Sequence, residues 1–73
     1  MKLSEMKPMQ CGIITEIIGD KRFISRVTSI GLTIGTQIEV MQNTRKQPVL
    51  VFAKDTMIAV NHAECEQIEL REG

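Results

Sequence analysis

Apolar side chains recur at helical spacing in one place in this sequence. Phe23, Ile24, Val27 and Ile30 follow a 3.6-residue period, with Arg22, Ser25, Arg26 and Ser29 on the other side. Asp20, just before this run, suits an N-cap, because its carboxylate can accept from first-turn amides that have no partner inside the helix. Gly31, just after it, suits the exit position, where the backbone turns left-handed and a Cβ would clash. Leu32 then falls where a Schellman cap places its apolar contact, against Val27 one turn back. The segment predicts one short helix, stopped at Gly31, with both ends encoded locally.

The rest of the chain reads as strand. Residues 12–18, Gly-Ile-Ile-Thr-Glu-Ile-Ile, are dense in β-branched side chains and end at Gly19-Asp20. Isoleucines on both faces predict a central, largely covered strand. Ile38 and Val40 alternate with Gln37 and Glu39, which predicts a strand with one dry face. Residues 43–47 form a polar connection, and Pro48 opens a strand through residues 49–52. Lys54-Asp55 is placed as a two-residue hairpin turn into residues 57–60. Asn61 can cap a single helical turn through Cys65, and residues 67–70 alternate as a last strand. Pro8 stops any helix begun at the N-terminus, so Leu3, Met6 and Met9 are expected to lie against the body from irregular backbone.

Five short strands and one helix in 73 residues make one domain, spanning 1–73. The fold class is all-β in the main: a small barrel of about five strands with one inserted short α-helix, closed so that it leaves no open edge. A chain of this size buries only about 60% of its unfolded surface, too little to enclose a large substrate cavity.

Chemistry is sparse. Nine basic and nine acidic residues give a formal charge of zero, so no long-range field gathers phosphate. Phe23 and Phe52 are the only aromatic residues, too few for a base-stacking platform. Nucleic acid is therefore not an expected partner. No apolar run approaches a signal peptide or the roughly 18 residues of a membrane span. Two cysteines without a secretory signal read as reduced thiols, and the expected localisation is cytoplasmic.

No nucleophile and base, carboxylate pair or Gly-rich phosphate loop is apparent, so no enzyme is expected. His62 and Cys65 stand three apart, a weak candidate pair for a divalent metal such as Fe2+ or Zn2+ if one helical turn presents both. The alternative is a buried, hydrophobe-like Cys65 and a surface His62. Lys21 and Arg22 sit in the first helical turn, where the macrodipole disfavours cations. Arg22 and Arg26 are like charges four apart. That mild local cost points either to a tolerated solvated face or to a basic face that meets an acidic partner.

Residues 26–35, Arg-Val-Thr-Ser-Ile-Gly-Leu-Thr-Ile-Gly, resemble the signature of FeoA-type domains, in which a helix ends in Arg-Leu-x-x-Met/Leu-Gly-Leu-x-x-Gly. Arg26, Gly31, Leu32 and Gly35 match. Val27 and Ile30 depart conservatively, and Ile34 stands where that family often has proline. Leu3 through Gly12 is similar to the family's opening and Gln47-Pro48-Val49-Leu50-Val51 to its proline-led strand. Residues 57–68 resemble its closing segment, with Asn61 in place of an arginine and Cys65 at a position usually held by alanine.

The resemblance implies an SH3-like barrel with one inserted helix. It implies an accessory of bacterial ferrous-iron uptake that contacts the cytoplasmic GTPase region of the membrane transporter FeoB, without inserting into the membrane or carrying out catalysis. The same fold is appended to iron-dependent repressors of the DtxR type, which leaves a metal-linked regulatory module as the second reading. Lys21, Arg22, Arg26, Leu32 and Ile34 are the expected contact residues. Val27, Gly31 and Gly35 are expected to build the turn.

Overall fold

In the computed structural model, which describes all 73 residues, the Asp20 carboxylate accepts from the Phe23 N–H at 2.9 Å and opens helix α1 (Lys21–Ser29). Gly31 follows with φ at 106°. Its N–H donates to the Thr28 carbonyl at 3.1 Å, and the Leu32 N–H donates to the Val27 carbonyl at 2.9 Å. Those two bonds make up the Schellman motif. Leu32 and Val27 both end in the core.

The apolar stripe of α1 is narrower than its sequence suggests. Phe23 and Val27 are buried, whereas Ile24 and Ile30 remain exposed. The contact is centred on residues four apart, which leaves Ile24 and Ile30 at the two margins of the stripe.

Five strands form one antiparallel sheet: β1 (Cys11–Ile17), β2 (Gln37–Gln42), β3 (Val49–Ala53), β4 (Thr56–Val60) and β5 (Ile68–Glu72). Their order is β4-β3-β2-β1-β5. β1 is internal, paired with β2 on one side and β5 on the other. It is less covered than expected: Gly12 and Ile14 are buried, Ile13 and Ile17 half-buried, and Ile18 exposed. The sheet buries one face only, and no second layer covers the other.

Register shifts between Ile14 and Glu16 and between Val40 and Gln42 bend the sheet. Inward residues of all five strands thereby meet in a single 16-residue cluster with Phe23, Val27, Leu32 and Cys65. The hydrogen-bonded ladder stays open, because β4 and β5 do not pair. They are joined by the short helix α2 (His62–Cys65), whose turn separates them. Asn61 caps α2, its side-chain oxygen accepting from the Glu64 N–H at 2.8 Å.

The β3–β4 hairpin turns on two residues, as expected. Lys54 and Asp55 have φ of 51° and 62°, and Ala53 pairs with Thr56 across them. Both central residues at positive φ define a type I′ turn, which is rarely built without glycine or asparagine.

The lead-in packs through Leu3 and Met6, which are fully buried around a single 3-10 turn, Leu3–Glu5. Asn43 holds it by donating to the Ser4 and Met6 carbonyls at 3.2 and 2.7 Å. Met9 departs from expectation: it is 75% exposed. A φ of 77° at Met9 turns the chain just before β1, which directs that side chain to solvent.

Two substitutions test these turns. Replacing Gly31 by Val should lower the unfolding free energy in urea by more than about 1 kcal/mol, because the left-handed backbone is costly for a β-branched residue. A Cβ there meets only Ile58 Cδ1, at 3.6 Å, so backbone strain is what the measurement isolates. Replacing Lys54-Asp55 by Asn-Gly should raise stability by about 1 kcal/mol, since both positions already hold the conformation those residues favour. An unchanged urea midpoint in either variant contradicts the corresponding turn geometry.

Candidate functional site

The basic residues of α1 divide into two kinds. Lys21 and Arg22 are exposed in the first turn and form no ion pair within the chain. Arg26 is already engaged. Its guanidinium pairs with the Glu64 carboxylate of α2 and lies 5.7 Å from the centre of the Phe23 ring, within cation–π range. Glu64 is largely shielded, with a side chain 16% exposed. Arg26 therefore fastens α1 to α2 as well as forming part of a basic face, a duty its sequence position did not reveal.

Arg22 and Arg26 share a shallow polar groove with Asp20, Phe23 and Gln67. Within the groove Arg26 is paired with Glu64, and Arg22 is left without an ion-pair partner in the chain. Ile24, on the opposite flank of the buried Phe23–Val27 stripe, is 36% exposed. It is a contact candidate hidden by its apparent membership of the core stripe.

The turn after α1 separates two residues expected to act together. Ile34 is 66% exposed and available for contact. Leu32 is completely buried, which removes it from the contact surface, because the Schellman turn drives its side chain inward. Gly35 has φ of 93° and donates to the Ile14 carbonyl at 2.7 Å. Thr33 and Thr36 join their hydroxyls across the same turn at 2.7 Å. Val27, Gly31 and Gly35 thus stand where the turn is built, with Ile34 at its tip.

His62 and Cys65 have separate surroundings. Nε2 of His62 lies 2.7 Å from the Thr44 carbonyl and 2.8 Å from the Gln47 carbonyl. Both oxygens can only accept, so Nε2 carries the proton and donates to the β2–β3 connection. Cys65 is fully buried, its Sγ 3.8 Å from the Val60 carbonyl. Burial first, and then the neighbouring Glu66 carboxylate, push its thiol up to about 12. No cluster of three or more His, Cys, Asp or Glu side chains gathers around them. His62 is tied to the β2–β3 connection and Cys65 faces the core, so the two side chains have different surroundings and no third such donor joins them.

The two thiols should differ sharply in reactivity. At pH 8 a thiolate-selective reagent should modify one site, Cys11, in the folded protein, because the raised Cys65 thiol stays protonated until far above that pH. The second equivalent should appear only in denaturant. Rapid loss of both thiols under native conditions would contradict the buried position of Cys65.

Comparison with known proteins adds family and fold. The FeoA domain model matches residues 1–72. The crystal structure of an iron uptake regulatory protein, FeoA, superposes with a TM-score of 0.90 at 26% identity, over 99% of this chain and 95% of that one. FeoA of Stenotrophomonas maltophilia, crystallised with zinc and described as a procaryotic SH3 domain protein, superposes with a TM-score of 0.81 at 17% identity, over 97% of this chain and 89% of that one. IdeR of T. acidophilum superposes with a TM-score of 0.88 at 16% identity, over all of this chain and 34% of that one. The last two likenesses concern the fold, which is SH3-like. No curated protein sequence matches the chain.

Proposed function

This chain belongs to the FeoA domain family, which is linked to ferrous-iron transport, and we propose that it is a small cytoplasmic accessory of iron uptake acting by contact with the GTPase region of the FeoB transporter. The observation that carries this reading is the family match across nearly the whole chain, residues 1–72. The surface adds to it. Lys21 and Arg22 stand free on the first turn of α1, where the macrodipole gains nothing from them. They have no partner inside the domain, and an acidic patch on another protein would supply one. Ile24 and Ile34 add apolar area to the same helix and its following turn.

In this reading the domain needs no catalysis of its own and no resident metal. It works as a rigid platform, and its effect on the transporter comes from the conformation it favours on binding. No helix of the chain is long and apolar enough to cross a membrane, in keeping with a partner that supplies the membrane anchor.

Charge reversal tests the proposal. Lys21→Glu with Arg22→Glu should weaken capture of the soluble GTPase region of FeoB at least tenfold, with folding unchanged because neither side chain is paired or buried. Arg26 is left alone, since its loss would also release Glu64. Retention of the doubly reversed variant at wild-type strength would place the interface elsewhere, and failure of the wild type to bind would remove FeoB as the partner.

A second reading rests on the likeness to IdeR, of which this chain matches about a third. There the domain would act as a metal-linked regulatory module beside a repressor. Ferrous or manganous ion binding to the isolated chain, measured calorimetrically and lost on His62→Ala, would favour that reading over the transporter accessory.

A further inference from the structure

The two edges of the sheet are finished differently. Along β5 the Met1 amine donates to the Leu70 carbonyl at 2.9 Å, the Leu70 N–H donates to the Met1 carbonyl at 2.7 Å, and Lys2 forms a bridge with Glu69. The N-terminal residues therefore occupy that edge. β4 has a neighbour, β3, on one side and nothing on the other.

The hairpin turn determines which β4 groups face outward. Across a two-residue turn, Ala53 and Thr56 exchange both backbone bonds, and so do Val51 with Ile58 and Val49 with Val60. Met57 and Ala59 occupy the alternate pairs, so their N–H and C=O groups point away from β3. None of the backbone bonds outside the ladders involves either residue. Both are exposed. Thr56–Val60 contains no charge and no proline, the devices by which edges usually resist pairing. The chain as a whole has zero formal charge, so two copies are not held apart by their fields.

We propose that β4 is a self-pairing edge: two copies of this chain join antiparallel about a two-fold axis at Ile58, with Met57 of each exchanging both backbone bonds with Ala59 of the other. That register satisfies every outward backbone group, with two bonds at each of two equivalent pairs. It also continues the outer face. Phe52 stands opposite Met57, and Leu50 opposite Ala59, within one copy. Across the joined edges the row runs Phe52, Met57, then Ala59 and Leu50 of the second copy, a long flexible side chain beside a small one. Lys54 and Asp55 of each copy fall level with His62 and Asn61 of the other, so no like charges oppose at neutral pH. A second copy is the fitting occupant because the edge is uncharged and complementary to itself. The joint stands independently of the transporter reading.

Sedimentation equilibrium and amide exchange on the full chain, from micromolar into millimolar concentration, test it. The mass should climb toward that of a dimer, and the amides of Met57 and Ala59 should slow in exchange as concentration rises. Ala59→Pro removes an N–H that the β3 ladder does not use, and should keep the monomer fold by circular dichroism while abolishing association. Ala59→Lys, which retains the amide, should weaken association at least tenfold through charge at the joint. A wild type that stays monomeric throughout, association unchanged in both variants, or concentration-dependent protection confined to other elements would each overturn the proposal.

Discussion

A nine-residue helix does not hold itself together in water, because the first turn costs more chain entropy than its few internal bonds return. α1 exists because its exit turn bolts it to the internal strand β1. The Leu32 N–H closes back on Val27, and within four residues the chain meets β1: the Gly35 N–H donates to the Ile14 carbonyl at 2.7 Å, and the Ile14 N–H to the Thr36 carbonyl at 3.0 Å. One left-handed residue, Gly31, makes this possible. It sends Leu32 into the core in the same step that aligns residues 33–36 with the strand. In a 73-residue chain, a size at which domains are only marginally stable, a turn that organises both helix and core carries a large share of the fold.

The parts of this architecture legible in the sequence are those decided by neighbours along the chain. The Asp20 cap, the Gly31 exit, the Lys54-Asp55 turn and the Asn61 cap each depend on two to five consecutive residues, and each forms as read. Features decided across the fold were not legible. Ile24 and Ile30 fit the helical period but lie outside the narrow contact that Phe23 and Val27 make, and Met9 points outward because of one backbone angle. The barrel argument correctly predicted a sheet curled around one core. It went too far in closing the ladder, because α2 spends the distance that β4 and β5 would need to cross.

Spacing was also a poor guide to the chemistry of His62 and Cys65. Three residues on a helical turn suggest a shared face, yet α2 is a four-residue turn seated on the core with Cys65 directed inward. Its histidine is committed to the carbonyls of a loop 15 and 18 residues away in sequence. Both side chains have structural work: one fills the core and the other ties down the β2–β3 connection.

The same distinction bears on where function resides. Three basic residues on one short helix look alike in sequence, and only their partners separate them. Arg26 is neutralised by a shielded carboxylate and braced by an aromatic ring, so its charge is already answered within the domain. Lys21 and Arg22 place cations where the helix dipole opposes them and receive no internal compensation. Stability alone gives no reason for either. The cost of such exposed cations is about 0.3–1 kcal/mol each, small enough for a solvated face to carry, and in the proposed reading an acidic surface on a partner would offset it. Under the proposed function it is the first turn of α1, rather than the turn that follows the helix, that would meet a partner's acidic groups.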